Sequence, residues 1–242
     1  SSAMLIHNRL KLGHNCLAYD INMGCAGFVG GMETIIGLLS LIKGKGLLLV
    51  GESNSVVGDG SDHNALLDGD AAAAIALEYK NDSPAISFAH YSDGSRAGLL
   101  YKPFNRDCFM DGNAIMFFAL GEVAECCKKY MLENNITDSE IDYYVFHQAQ
   151  KMIVDGIVDE LNVPDDKVLI SCDRFGNTSS ASIPLTIVSE LSDKGAGVKR
   201  IFACGFGIGL SWGICVFDVD LETIKPVIQS DYYYNDKSIF GI

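Results

Sequence analysis

Cys25, His147 and Asn177 are side chains suited to nucleophilic chemistry in a shared pocket: a thiol that can act as a nucleophile, an imidazole that can hold or release a proton, and a carboxamide that can donate a hydrogen bond without charge. Each lies in a local sequence that would carry it toward a shared pocket. Cys25 sits in DINMGCAGFVGG, where an apolar run over 17–22 gives way to small residues and then to a helical pattern from about Cys25 to Lys43. A thiol at such a start meets unpaired N–H groups and the positive end of the helix dipole, so its pKa is expected to fall below the free value of about 8.5. His147 closes the apolar run in IDYYVFHQAQ, read as a buried strand over 142–147 with a helix over 149–161 behind it. The carboxyl end of a strand is where open α/β sheets place ligands. Asn177 lies in DRFGNTSSASIP, where Gly176 permits an unusual backbone angle and small residues begin a helix over 178–193, letting another backbone come close.

The elements that must position these groups follow from periodicity. Strands are expected over 17–22, 46–51, 71–79 and 85–91, the first two bracketing the Cys25 helix as a βαβ unit with a hairpin-like addition. From Ser92 to Asn113 the chain is rich in Gly, Asp, Arg and Pro without a sustained period, which puts a boundary between halves near Asn105. A second block then runs as a helix from about Asn113 to Glu133, strand 142–147, helix 149–161, strand 167–171, helix 178–193, and strands 199–204 and 211–219. Thr137 and Glu140 have the spacing of a capping box. The domains so defined are 1–105, carrying the cysteine, 106–220, carrying the histidine and asparagine, and a C-terminal extension over 221–242 with a Tyr232–Tyr234 cluster.

Composition narrows the function classes. The chain has 242 residues, 48% of them hydrophobic and 20% charged, which suits a soluble globular α/β protein and argues against disorder. No apolar run approaches the roughly eighteen residues of a membrane helix, and the start lacks the layout of a secretory signal, so a cytoplasmic location is expected. Among eight cysteines only Cys126 and Cys127 are close together, with no C-x-x-C spacing or neighbouring histidine, so reduced thiols and no metal site are expected. A formal net charge of −13 disfavours nucleic acid as a partner.

These three segments, together with GDAAAAIALE at 69–78, MDGNAIMFFA at 110–119 and CGFGIGLSWG at 204–213, resemble the 3-oxoacyl-acyl-carrier-protein synthase III family. The likeness runs from about Leu5 to Asp218. It implies the thiolase fold, layered α/β/α/β/α with two pseudo-symmetric halves, of which the first is incomplete because the family has further elements before its cysteine segment. It implies a decarboxylating Claisen condensation of an acyl-CoA with a malonyl-acyl carrier protein through an acyl-cysteine, in fatty acid or related biosynthesis. Coenzyme A and phosphopantetheine thioesters are then substrates rather than cofactors, and the enzyme is a homodimer.

By the same resemblance Cys25 is the nucleophile, and His147 with Asn177 stabilises the enolate oxygen. The backbone N–H groups of Cys25 and Ile208 form an oxyanion hole, and Gln148, Gln150, Lys151, Phe206, Gly207 and Gly209 bind substrate. Hydroxymethylglutaryl-coenzyme A synthases pair Cys and His with a glutamate, and elongating ketosynthases carry two histidines, so Asn177 points to the initiating class. A papain-like protease shares the Cys-His-Asn set but not the surroundings. The chain departs from the family where it carries Gln150, Lys151 and Met152 after HQA, and Asp159 and Glu160 on the following helix. Two carboxylates there repel an anionic carrier unless Lys151, Lys128, Lys129 or Arg174 offsets them. Transfer to an oxygen or nitrogen acceptor, and a non-catalytic partner or fragment, are the alternative readings.

Overall fold

In the computed structural model, residues 1–53, 66–101 and 108–231 are described. Strands β7 (Val198–Gly207) and β8 (Ser211–Asp220) form an antiparallel pair with Val198 opposite Asp220 and Gly207 opposite Ser211. Strand β6 (Tyr143–Phe146) lies parallel to β7, and β3 (Ser87–Ser92) lies antiparallel to β8, giving the order β3-β8-β7-β6. Side chains alternate faces along a strand, and here both faces are covered. Tyr144, Phe146, Phe202 and Cys204 point into one core, whereas Val145, Ile201 and Ala203 point into the other. Complete burial of a side chain such as Phe202 contributes about 2–3 kcal/mol, which is why this stretch is continuously apolar.

Helix α2 (Gly27–Ile42) packs on one side against β7 and β8 and on the other against β1 (Lys45–Glu52), which pairs antiparallel with β2 (Ala71–Glu78). Phe28, Val29 and Met32 are its buried anchors. A second helix in the same layer, Ser182–Leu191, bridges β6 and β2. The far side of the four-stranded sheet is covered by Gly112–Phe118, a π-helical turn over Ala119–Val123, Ala124–Glu133, and the helix Lys151–Leu161. The layers of the unit Met23–Pro226 are thus sheet, helices, sheet, helices.

Several expectations need correction. The run 17–22 is not a strand, and Leu17, Tyr19 and Ile21 are exposed. A strand needs a partner to take up its N–H and C=O groups, and no described residue pairs with this segment, so no leading strand completes a βαβ unit among the described residues. Residues 167–171 make one isolated bridge, between Tyr144 and Val168, instead of a strand. The reason is a side chain: Gln148 Oε1 accepts from the Ser171 and Cys172 N–H groups at 2.9 and 3.2 Å, in place of a neighbouring strand. The helix expected from 178 starts as a 3₁₀ turn over Ser179–Ala181. Glu140 does accept from the Thr137 N–H at 2.8 Å, but the bond closes a turn, not a helix.

Ser1–Asn22 group with the residues from Val227 on as a separate unit. In it Asp20 caps the helix Ser2–Arg9 by accepting from the Ser2 and Ala3 N–H groups at 2.8 and 2.7 Å. Asn105 and the Tyr232–Tyr234 cluster lie outside the described residues.

Candidate active site

Ser179 is the common neighbour of the three residues singled out from sequence. Its hydroxyl lies 3.8 Å from Cys25 Sγ, its N–H donates to Asn177 Oδ1 at 2.9 Å, and its backbone lies near enough to the His147 ring to influence its protonation. Ser179 holds φ at +49°, a conformation non-glycine residues adopt where the surroundings impose it. The imposition here comes from Asn177, whose backbone is clamped on both sides: its N–H donates to Leu67 O at 2.7 Å and its carbonyl accepts from Gly69 N–H at 2.9 Å. A side chain at Gly69 would meet the Phe175 carbonyl, so that clamp needs glycine. With Oδ1 taken by Ser179, the Asn177 Nδ2 group is left as a donor.

His147 leaves the end of β6 with its N–H bonded to Cys204 O at 2.8 Å, and its ring stands edge-on to Phe206 at 5.4 Å. Its Nδ1 lies 2.8 Å from the hydroxyl of Ser182, which is buried as completely as the histidine. Ser182 Oγ also accepts from the Gln148 N–H at 3.4 Å, which leaves the hydroxyl hydrogen for Nδ1 and the ring proton on Nε2. Burial lowers the imidazole pKa from its ordinary 6.5 to about 4, so the ring is neutral at pH 7. His147 and Asn177 are therefore two uncharged donors on either side of Ser179.

Cys25 lies in the turn just before α2, half-buried, beside the end of β7. An added Cβ at Gly207 would stand 2.8 Å from Cys25 Cβ and 3.0 Å from Sγ, and one at Gly24 would stand 2.5 Å from Ile208 Cγ2. The absence of both side chains lets the turn 207–209 close over the cysteine. The thiol is not poised as the helix start suggested. Burial pushes its pKa up to about 11, Ser179 and the backbone N–H groups of Cys25 and Ile208 pull it down, and nearby Glu52 pushes it up. At rest the group is a thiol. The same two N–H groups point at the sulfur region, where an oxyanion on an acyl-cysteine would also be received.

The remaining expected contacts divide. Gly207 and Ile208 border Cys25, whereas Gly209 follows them in the turn and faces Ser211. Gln148 does not face a substrate: it is fully buried, donates from Nε2 to Phe146 O at 2.8 Å, and spends Oε1 on Ser171 and Cys172. Phe206 is likewise buried and packs on His147. Gln150 is half-buried at the start of the helix Lys151–Leu161. Lys151 is exposed and held by both oxygens of Asp155 at 2.7 Å. Lys128 pairs with Glu160 at 3.2 Å, Lys129 with Glu133 at 3.8 Å, and Arg174 with Glu190. A depression of about 380 Å³ lined by Val158, Asp159, Asn162, Val163, Pro164 and Asp165 includes none of the residues around Ser179.

Sequence reasoning missed Ser179, Ser182 and Glu52. The first two lie in the stretch read for small size rather than for hydroxyl chemistry, and Glu52 ends a strand where a ligand site was to be expected.

Models described as 3-Oxoacyl-[acyl-carrier-protein (ACP)] synthase III and its C-terminal part match residues 19–94 and 131–219. The chain is 34% identical over 225 residues to a beta-ketoacyl-[acyl-carrier-protein] synthase III of Acholeplasma laidlawii, covering 90% of this chain and 71% of the relative. It is 35% identical over 221 residues to that of Streptococcus gordonii, covering 84% and 68%. The crystal structure of a 3-oxoacyl-(acyl-carrier protein) synthase from Burkholderia xenovorans superposes with a TM-score of 0.84 at 30% identity, covering 90% of this chain and 69% of that one. The layered α/β architecture is that of these structures. No described helix is long and apolar enough to cross a membrane.

Proposed function

The chain belongs to the 3-oxoacyl-[acyl-carrier-protein] synthase III family, and from that premise we propose that Cys25 is its nucleophile, with His147 and Asn177 as the donors that receive the enolate oxygen. Its reaction is the family's decarboxylating Claisen condensation, an acyl transfer between thioesters. The observation that carries the residue assignment is the convergence of a thiol, a neutral imidazole and a carboxamide on Ser179.

In the first half-reaction the Cys25 thiol gives up its proton and its sulfur attacks the carbonyl of an acyl-CoA. The oxyanion forms under the N–H groups of Cys25 and Ile208, the carbon–sulfur bond to coenzyme A breaks, and the departing thiolate takes a proton. In the second, a malonyl thioester loses carbon dioxide and the electron pair of the broken bond becomes an enolate. Its oxygen is received by His147 Nε2–H and Asn177 Nδ2–H, fixed neutral dipoles that stabilise charge strongly in a dry pocket. The enolate carbon attacks the acyl-cysteine, and the thiolate of Cys25 leaves and is reprotonated. A charged imidazolium would serve less well, since it would have to be kept protonated in a buried site that depresses its pKa.

Malonyl-acyl carrier protein as the second substrate, a homodimeric state and a cytoplasmic setting follow from the same reading. The test is intact-mass analysis after mixing with an acyl-CoA, followed by carbon dioxide release from a malonyl thioester. A mass gain on Cys25 that disappears in Cys25→Ala, with turnover reduced at least ~10⁴-fold, is expected. Acylation at another residue, or 3-oxoacyl product formed by Cys25→Ala at the wild-type rate, overturns the assignment.

A further inference from the structure

Loss of the Cys25 proton raises a difficulty that His147 does not solve. Its Nδ1 is engaged by Ser182 and its Nε2 carries the hydrogen needed for the enolate, so in that tautomer the ring has no vacant lone pair to offer the thiol. Next to the sulfur lies the Ser179 hydroxyl, 3.8 Å from Sγ. The turn Ser179–Ala181 packs against β1, and β1 ends in Glu52, which lies close enough to the Ser179 side chain for that hydroxyl to favour its carboxylate form. Glu52 is half-buried, and the acidic groups that face it are Cys25 and Asp68, the latter from the bridge before β2.

We propose that Ser179 and Glu52 form a proton relay for the acylation step, with Ser179 as a catalytic residue in contact with the sulfur and Glu52 as the positioning residue behind it that takes up the proton. The inference rests on Cys25 being the nucleophile. As sulfur attacks, its proton passes to Ser179 Oγ while the Ser179 hydrogen passes to the Glu52 carboxylate. The proton returns by the same route to the coenzyme A thiolate that leaves. The two acids oppose each other's charge: anionic Glu52 holds the thiol protonated, and burial with Asp68 nearby raises the Glu52 pKa. Moving the proton from one to the other keeps a single negative charge in the site throughout, so no second charge has to be created where burial makes it costly.

Glu52→Gln keeps the shape beside Ser179 but cannot take the proton. Two rates are measured on the full chain: Cys25 acylation by an acyl-CoA in rapid mixing, and Cys25 alkylation by iodoacetamide at pH 8, both read by mass. The relay requires opposite changes. Acylation slows by about 10²-fold, the lower end for a lost general base, and alkylation speeds up severalfold because the thiolate no longer faces an anion. Ser179→Ala slows acylation while leaving Glu52 in place. Slowing of both rates in Glu52→Gln marks a structural brace and overturns the relay. Unchanged acylation with faster alkylation marks a bystander charge and overturns it too. Wild-type chain that is not acylated at Cys25 overturns the proposed function and the relay together, whereas normal wild-type acylation with an indifferent Glu52→Gln overturns the relay alone.

Discussion

Around Ser179 the polar atoms are few, largely buried, and uncharged on the His147 and Asn177 side, with bonds of 2.8–2.9 Å holding each donor in place. On the exposed side of the helix Lys151–Leu161 and its neighbours the opposite holds: Lys151, Lys128, Lys129 and Arg174 each face a carboxylate of the chain itself. Interior dipoles are unscreened and cost little reorganisation when charge develops, whereas exposed ion pairs are screened and contribute about 0–1 kcal/mol. The difference teaches where this molecule keeps its chemical specificity. It lies in fixed neutral groups, and the four cations that the sequence offered to an anionic carrier, Lys151, Lys128, Lys129 and Arg174, already have partners, in a chain of net charge −13. Docking of such a carrier must therefore compete with Asp155, Glu160, Glu133 and Glu190 for those cations.

The contrast can be broken most forcefully at His147. His147→Ala or Asn177→Ala is expected to slow condensation by about 10²–10³-fold while Cys25 is still acylated by an acyl-CoA. Loss of acylation in either variant would mean that the donors do more than receive the enolate. A middle-sized effect concerns pH. The imidazole titrates near 6.5 when unfolded and near 4 when folded, so the unfolded chain binds more protons between those values and stability falls as pH drops through that window. Urea unfolding at pH 7 and pH 4.5 should show a smaller loss in His147→Gln than in wild type. Equal losses would place the pH sensitivity in other groups. The smallest effect is expected outside: Lys151→Ala and Lys128→Ala should shift stability by no more than about 1 kcal/mol and the KM for an acyl carrier by less than tenfold. A tenfold or greater rise in KM that vanishes at high salt would show that these paired cations still steer the carrier.

Much of the scaffold could be anticipated because it is driven by local pattern. The long apolar runs of β7 and β8, the helix after Cys25 and the strand leading to His147 are set by burial on both faces. What could not be anticipated depends on partners distant in sequence. The run 17–22 has strand composition but no pairing among the described residues, and 167–171 is held by a glutamine side chain from position 148. The surroundings of the Cys25 thiol were misjudged for a similar reason. Helix position is local and lowers a thiol's pKa, while the burial that outweighs it, and Glu52 beside it, come from other elements. Ser179 and Ser182 differ in role by three positions of one motif, because one faces the sulfur and the other the imidazole.

The notch at the end of β7 has a consequence for anyone altering this enzyme. A single methyl group at position 207 would lie against both the Cβ and the sulfur of Cys25. Redesign that approaches through this turn therefore meets its tightest limit at a residue with no functional group, where even the most conservative exchange crowds the Cys25 sulfur.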